Sequence, residues 1–548
     1  MNYEPPTINI SALLLPMLAA EKLPYNKTHS FTKIVLDYLA GEGALENFYA
    51  FPPTIVGLKA ALQAKQAQHC DRASLVEVLK DQYSNCTTTE AVTNNIQSLL
   101  SNNTFTICTA HQPNLLTGPL YFIYKILHAI KLAQHLQLQF TGYKFVPVFY
   151  LGSEDADLQE LNHFTVQGKK YTWDTQQKGA VGRMKIDKKL TALITELEYQ
   201  IGVEPHGSEL IGLFKQFFID GKEIQDATFQ LANALFGKYG LVVLIADDPR
   251  LKRSMLPVFE KDLLEQEPSR IVSDTSSRLA AHYNVQAHAR DINLFYLKDD
   301  VRERIERRGD SFVVVNTSLS FTKEEMLREL NTHPERFSPN VILRGLFQET
   351  ILPNIAFIGG GGELAYWLQL KDLFVHYNIV FPALILRNSF LVIEAHQHEL
   401  MEKLGVTIED IFRNELDLMN LLLERKGLKP HLNGEVSQLG ALYDALTATA
   451  SSVDPTLDQH VRALKTRTLN QLQELEKKML RAERKKDAAT ARQIAKLKQQ
   501  LFPKGGLQER VENLSSYYTK WGSGFIDELL QHSLSIEQEF VVLTDQKN

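Results

Sequence analysis

Asn354–Trp367 reads NIAFIGGGGELAYW. An apolar run stops at the consecutive glycines Gly359, Gly360, Gly361 and Gly362, then opens into Glu363, Leu364, Ala365, Tyr366 and Trp367. The pattern is that of a buried strand, a tight loop and a helix start. Two earlier stretches repeat it: TFTICTAHQPNLLTGP over Thr104–Pro119, and KFVPVFYLGSEDADLQELNH over Lys144–His163. Parallel sheets produce this order of elements, and their ligands sit beyond the carboxyl ends of the strands. The three stretches therefore predict an α/β fold on a parallel sheet, with one crevice shared by the polar residues at the strand ends.

Each strand end carries residues suited to chemistry. The glycine run contains G-x-G-x-x-A from Gly360, after a strand and before a helix. Glycine lets a backbone approach a ligand closely, and free N–H groups at a helix start favour phosphate or carboxylate. The plain alternative is a tight turn with no ligand. An NAD site wants an acid at the end of the next strand. Here that strand, Phe381–Leu386, ends in Arg387 and Asn388, which speaks against NAD and leaves an NADP-dependent reductase open. After the first strand come Thr109, His111 and Gln112, then Thr117 and Gly118. A neutral imidazole there can act as a general base, or can simply be satisfied by turn backbone. The second loop sets Glu154, Asp155 and Asp157 close together, with Asn162 and His163 following. Clustered carboxylates raise one another's pKa and are relieved by a metal, a basic side chain or a substrate amine. The competing reading is helix capping, and Asp247 and Asp248 before Pro249 share that ambiguity.

Composition narrows the function class. The 548 residues carry a net charge of −6, with 44% hydrophobic and 23% charged residues. A sequence pI of about 6.3 argues against a general nucleic-acid binder. Cys70, Cys86 and Cys108 form no CxxC pair, so neither a disulfide framework nor a thiolate zinc site is indicated, and a reducing cytoplasm fits. The N-terminus, MNYEPPTINI, has no leader pattern, and no stretch reaches the roughly 18 apolar residues of a membrane span. P-loop, HExxH and GxSxG motifs are absent.

Along the chain, residues 1–100 read as a mostly helical segment packed on the core, and 101–395 as the core. Insertions interrupt the core at about 165–235 and 250–340, the second with short strands INLFYL and SFVVVN. Pro119 suits a first helical turn, and Leu120, Ile123, Leu127 and Ile130 continue an amphipathic helix. From 396 to 513 strand signals give way to helix. Leu457, Val461, Leu464, Thr468, Leu472, Leu475, Met479 and Ala482 form a heptad-like seam with an irregular step at Thr468. A second helix carries Ile494, Leu497 and Leu501, and the two are expected to pair as a hairpin, either within one chain or as a dimerisation arm. Residues 514–548 are expected to return to the core.

Taken together, LLTGPLYFIYKILHAIKLA, VPVFYLGSEDADLQELNH, YGLVVLIADDPRLKR, INLFYL, FSPNVILRGLFQETILPNIAFIGGGGELAYWLQLK, LILRN and LFPKGGLQER resemble the bacillithiol-biosynthesis family of cysteine-adding enzymes. The resemblance runs from about 115 to 510. It implies a Rossmann-like core with two inserted connecting segments, plus an α-helical coiled-coil domain that pairs two subunits as a homodimer. It implies a cysteine ligase acting on L-cysteine and glucosaminyl-malate and a bound nucleotide, ATP or ADP; the acidic loop itself offers carboxylates to Mg²⁺. The core is similar to those of class I aminoacyl-tRNA synthetases, although HxGH and KMSKS are missing. Family members read GQQ where this chain has Ala110, His111 and Gln112, and EDHD where it has Glu154, Asp155, Ala156 and Asp157. His111 is therefore expected to supply the imidazole that the acidic loop lacks, with Glu154, Asp155 and Asp157 as its catalytic companions. A second nucleotide site is conceivable at Lys504, Gly505, Gly506 and Arg510, with Tyr517 and Trp521 for stacking; the alternative is a helix break followed by core aromatics. A non-catalytic coiled-coil scaffold is the remaining rival.

Overall fold

The computed structural model describes residues 18–428 and 430–545. Residues 1–17, which include the N-terminal stretch read as lacking a leader, and 546–548 lie outside the described residues. The chain divides into two compact units. The first holds the stretch up to Asn26, Ser30–Leu391 and Gly506–Leu543; the second holds Lys27–His29, Val392–Gly505 and the stretch from Thr544.

Five parallel strands build the centre of the first unit: β1 (Thr104–His111), β2 (Lys144–Leu151), β3 (Val242–Ile245), β4 (Asn354–Gly359) and β5 (Ala383–Leu386). Their order in the sheet is β3-β2-β1-β4-β5. β2 and β4 are buried almost throughout, which is why they read as continuous apolar runs. One sheet face presents Phe105 and Ile107 from β1, Ile358 from β4 and Ile385 from β5. It packs against Ala129, Leu132 and Leu136 of α1 (Tyr121–Gln139) and against Leu58 and Leu62 of helix Ile55–Ala67. Burial of such side chains stabilises by about 1.5–3 kcal/mol each relative to exposure. Pro119 lies just ahead of α1 rather than inside its first turn, because its neighbour Leu120 donates its N–H to Glu512 O at 2.8 Å.

Both connections out of the sheet are long. Between β2 and β3 the chain forms the hairpin His163–Val166 and Lys169–Thr172, then helices Lys188–Ile201, Gly207–Phe217 and Ile224–Phe236. Between β3 and β4 it forms helices Leu256–Glu265 and Glu267–Ala280 and an antiparallel five-stranded sheet. That sheet runs Ser320–Thr322, Ser311–Val314, Val301–Arg308, Leu294–Lys298 and Phe337–Pro339. Helix α2 (Val341–Ile351) then leads into β4. Val301–Arg308 (VRERIERR) has no readable apolar alternation, since Ile305 is its one fully buried residue.

The N-terminal region, read as mostly helical, also contributes a strand. Leu18–Pro24 is a strand, in a three-stranded sheet with Glu539–Asp545 and Phe390–Ile393. It gains its partner only from the far end of the chain, where Val541 N–H also donates to Ser389 O at 3.0 Å.

The second unit is helical, with Ala395–Leu404, Glu415–Arg425, Asn433–Val453, Leu457–Lys486 and Ala488–Leu501. The expected hairpin has a different partner. Leu457–Lys486 runs against Asn433–Val453, with Lys465 Nζ 2.6 Å from Asp444 Oδ1. Thr468, the irregular step in the seam, meets the Tyr443 hydroxyl at 2.9 Å, so a polar contact replaces the apolar knob there. Ala488–Leu501 packs instead on Glu415–Arg425.

Candidate functional site

β1 and β4 are neighbours in the sheet, but the chain proceeds from them in opposite directions. A topological switch point of this kind opens a crevice beyond the carboxyl ends of the strands. A cavity of about 790 Å³ lies there. The loop after β1 contributes His111 and Gln112, the loop after β2 contributes Glu154 and Asp155, and β4 delivers Gly360, Gly361, Gly362, Glu363 and Tyr366. Arg387 and Arg510 also line it.

His111 stacks on Tyr121, with ring centroids 5.1 Å apart, and its Nδ1 lies 3.3 Å from Gln112 O. Burial, reinforced by the Lys125 ammonium, holds the imidazole well below its ordinary pKa. The ring is therefore neutral at physiological pH and able to accept a proton. Beside it, Gln112 Nε2 donates to Asp155 Oδ2 at 3.1 Å, tying the first loop to the acidic loop.

The glycine run does not serve a left-handed turn, since none of its members has a positive φ. Gly359 is needed for packing: a Cβ there would stand 2.9 Å from the Phe357 ring. At Gly362 nothing lies within 4 Å, so that stretch of backbone remains open to a ligand. One donor is already engaged, because Gly360 N–H donates to Glu363 Oε2 at 2.8 Å. Glu363 is in turn ion-paired with Lys125, whose Nζ also donates to Ala110 O at 2.9 Å. Burial draws the Lys125 ammonium below the ordinary lysine range, with Glu363 opposing.

Glu154 is bound to Lys252 at 2.5 Å, and Lys252 also reaches Asp247 Oδ1 at 2.8 Å. Arg183 grips the same Asp247 at 2.6 and 2.8 Å. Burial raises Glu154 above the usual carboxylate range against the pull of Lys252. At Asp247 burial pushes upward too, but Lys252 and Arg183 together hold it low. Asp247 is thus an internal counter-ion, away from the crevice surface. Asp248 caps helix Pro249–Lys252 and pairs with Arg250 at 2.9 Å, while Asp157 caps Leu158–Leu161 through Glu160 N–H at 3.1 Å. For these two the capping reading prevails, and Asp157 is exposed outside the cavity.

Several other expected residues serve the fold. Thr109 Oγ1 donates to Ile358 O at 2.8 Å and is fully buried between β1 and β4. Thr117 and Gly118 are turned inward: Asn513 Nδ2 donates to Leu116 O at 2.8 Å and to Gly118 O at 2.6 Å. Asn162 O accepts Trp173 N–H at 2.7 Å where the hairpin begins, with His163 Nδ1 3.3 Å from Asn162 Oδ1. Trp367 stacks on Phe357 at 4.5 Å. Asn388 N–H donates to His128 Nδ1 at 3.0 Å, and its Oδ1 accepts Leu534 N–H at 2.9 Å. Arg387, which an NADP site would need, is committed to buried Glu509 at 2.6 Å. Of the residues read as a second nucleotide site, Lys504 and Gly505 fall in the second compact unit and Gly506, Arg510, Tyr517 and Trp521 in the first. Tyr517 and Trp521 stack with Phe525 at 5.3 and 5.5 Å, and Arg510 lines the crevice.

The opposite wall carries residues that sequence reasoning missed. It comes from the inserted segment 286–344 and includes Arg290, Phe295, Arg302, Asn340 and Arg344. Arg302 lies over the Phe295 ring, 4.0 Å from its centroid, and burial lowers its pKa. Arg344 donates one Nη2–H to the Tyr366 hydroxyl, while its Nη1 is buried without a protein partner. From α1 and the β2 loop come Tyr121, Lys125 and Glu160. The signal was present in FSPNVILR, where Asn340 caps α2 and Arg344 follows one turn on, but nothing local says that this turn faces the strand ends. Among the described residues, no three or more His, Cys, Asp or Glu side chains converge as a metal-binding set. Of the carboxylates that line the crevice, Glu154 and Glu363 are held by lysines, which leaves Asp155 and Glu160 as the ones that could hold a cation. No helix among the described residues is long and apolar enough to cross a membrane.

Comparison with known proteins agrees with this architecture. The profile described as bacillithiol biosynthesis BshC, N-terminal Rossmann-like domain, matches residues 18–388, and that of the BshC C-terminal coiled-coil domain matches 390–544. A protein of Christiangramia forsetii named "Putative cysteine ligase BshC" is 39% identical over 537 residues, covering 95% of this chain and 98% of its own. One of the same name from Cytophaga hutchinsonii is 39% identical over 501 residues, covering 91% and 94%. A third, from Flavobacterium johnsoniae, is 37% identical over 526 residues, covering 95% and 99%. With a parallel-sheet core and a helical unit in the order these matches require, the chain belongs to the bacillithiol biosynthesis BshC family.

Proposed function

We propose that this protein is a cytoplasmic ligase that joins the carboxyl carbon of L-cysteine to the amine of glucosaminyl-malate, forming the amide of bacillithiol. The names of its relatives support a cysteine ligase. The observation that carries the chemistry is the position of His111 on the crevice wall, stacked on Tyr121 and next to the Gln112–Asp155 contact.

Amide formation from a free carboxylate is uphill in water, so the cysteine carboxyl must be activated; a nucleotide, ATP, would supply that activation as a mixed anhydride. The open backbone at Gly362 and the guanidinium of Arg510 would hold its anionic groups. Asp155 and Glu160 would hold the substrate ammonium, with Mg²⁺ as an alternative guest. His111 takes the proton from the attacking amine as the C–N bond forms and the C–O bond to the phosphoryl group breaks. Glu363 and Lys125 hold the Gly360 backbone in place for this step.

The helical unit supports a homodimer. Neither Asn433–Val453 nor Leu457–Lys486 has a fully buried residue, and Leu464 and Leu475 are 41% and 47% exposed on the seam. A second copy would cover them.

The test is mass spectrometry of the full chain incubated with glucosaminyl-malate, cysteine, ATP and Mg²⁺. Bacillithiol with AMP supports an adenylate, and with ADP an acyl phosphate. Protein that binds glucosaminyl-malate yet yields no product would overturn ATP as the activator.

A further inference from the structure

The crevice is electrostatically two-sided. The wall built by segment 286–344 presents three guanidinium groups, Arg290, Arg302 and Arg344, and no carboxylate. The strand-end wall holds all the lining carboxylates, Glu154, Asp155, Glu160 and Glu363. None of the three arginines has an ion-pair partner among the described residues, in contrast to Arg387 with Glu509. The orphaned, buried Nη1 of Arg344 is a donor that lacks its acceptor, a costly state that a bound anion relieves.

This wall is held rigid. Gln286–Arg290 has no regular secondary structure, yet buried amides clamp it at both ends. Gln369 Oε1 accepts Gln286 N–H at 3.0 Å and Ala287 N–H at 2.9 Å, and Gln369 Nε2 donates to Ala287 O at 2.7 Å. Asn293 Oδ1 accepts Arg290 N–H at 3.1 Å, and Asn293 Nδ2 donates to Arg290 O at 2.8 Å. The same Asn293 Oδ1 accepts from Asn340 Nδ2 at 3.0 Å, which fixes the strap to the start of α2. An irregular strap tied so closely places its side chains instead of letting them wander.

We propose that the 286–344 wall is a recognition subsite for a small dicarboxylate, with Arg302 and Arg344 as the primary contacts and Arg290 completing it from the strap. Planar guanidinium forks suit carboxylate pairs. The nucleotide's anionic groups are assigned to the glycine run and Arg510 on the other side of the cavity, which leaves the arginine wall to the carboxylates of the second substrate. The subsite orients its ligand, with the carboxylates on the arginine wall and the amine toward Asp155 and His111. The inference rests on the proposed function for its substrate, in which the malate moiety is the dicarboxylate.

Calorimetry of the full chain with L-malate alone, and separately with pyrophosphate, tests the subsite without any reaction. Malate is expected to bind at millimolar concentration, and Arg302→Gln or Arg344→Gln to weaken it by about ten- to a hundredfold. Arg290→Gln, on an exposed side chain, is expected to weaken it with no change in melting temperature. Absence of malate binding, malate binding unaltered in all three variants, or pyrophosphate binding that alone responds to them would each overturn the proposal. If malate binds as expected but no bacillithiol forms, the proposed function fails and the subsite stands. If bacillithiol forms and the variants keep the parent KM for glucosaminyl-malate, the subsite fails and the function stands.

Discussion

Lys252 places its ammonium 2.5 Å from Glu154 and 2.8 Å from Asp247, with no exposed surface of its own. The acidic loop that looked like a free catalytic cluster is half neutralised from below by one lysine from the insertion after β3. Removing one partner of a buried pair leaves an uncompensated charge, whereas neutralising an acid that shares a cation leaves the other pair intact. Lys252→Met is expected to cost about 3–5 kcal/mol in denaturant unfolding. Glu154→Gln should cost clearly less, since Lys252 keeps Asp247. Equal losses from the two would contradict this arrangement.

His111→Ala is expected to lower kcat about 10²- to 10⁴-fold, the usual range for a general base. Because burial and Lys125 hold the imidazole well below 6.5, the parent rate should stay level as pH falls through 6.5 and decline only in more acid solution. A pH–rate profile with its acid limb centred at 6.5 would show that His111 is not the titrating base. In the His111→Ala background, Ala156→His is expected to restore part of the rate, since Ala156 sits on the neighbouring loop.

Asp262 is fully buried and accepts from Asn293 N–H at 2.6 Å and from its Nδ2 at 3.0 Å. Burial outweighs these donors and pushes its carboxyl up from 3.8 to about 7. A raised folded pKa means that the native state binds the proton more tightly than the unfolded chain. This contribution is fully present below pH 3.8 and is lost as pH rises through 7, on the order of a few kcal/mol in all. Stability measured by denaturant at pH 5 and pH 8 should therefore fall with pH, and Asp262→Asn should flatten that fall. Glu349, raised by burial to about 7 against Lys65, acts in the same direction and is expected to leave a residual slope in the variant.

Leu116 and Thr117 adopt φ of 47° and 73°, a left-handed pair that non-glycine residues tolerate only when held. Asn513 does the holding, from the far end of the chain, through the carbonyls of Leu116 and Gly118. Asn513→Ala should destabilise by roughly 2–4 kcal/mol, since it strands buried carbonyls and frees a strained turn. Thr117→Gly relieves one of the strained residues and should be close to neutral. Thermal melting of the two variants separates these outcomes.

Leu464→Glu with Leu475→Glu should convert the protein to a single-chain species in sedimentation and remove the concentration dependence of its melting temperature. Both positions are exposed within one chain, at 41% and 47%, so their replacement costs little unless a partner covers them. A species that is already one chain before mutation would remove the homodimer reading.

What the sequence determined by itself was periodic and local. Apolar runs ending in HQ, SEDAD and GGGG announced β1, β2 and β4, and the three- and four-residue spacing from Leu457 announced a helix, because these patterns are written within a dozen residues. The membership of the crevice was legible for His111, Gln112, Glu154, Asp155 and Gly360–Glu363, because parallel strands in one sheet end on the same side. The tertiary structure alone decided which of those groups are free. Lys252 meets Glu154 across 98 residues and Arg387 meets Glu509 across 122, separations over which no periodicity carries information. It alone brought the arginine wall of 286–344 over the strand ends, because that segment hangs on contacts such as Asn293 to Asn340 that only the folded chain creates. Strand Leu18–Pro24 and the Tyr443–Thr468 contact follow the same rule: an element whose partner lies far along the chain is specified by packing, not by its own pattern.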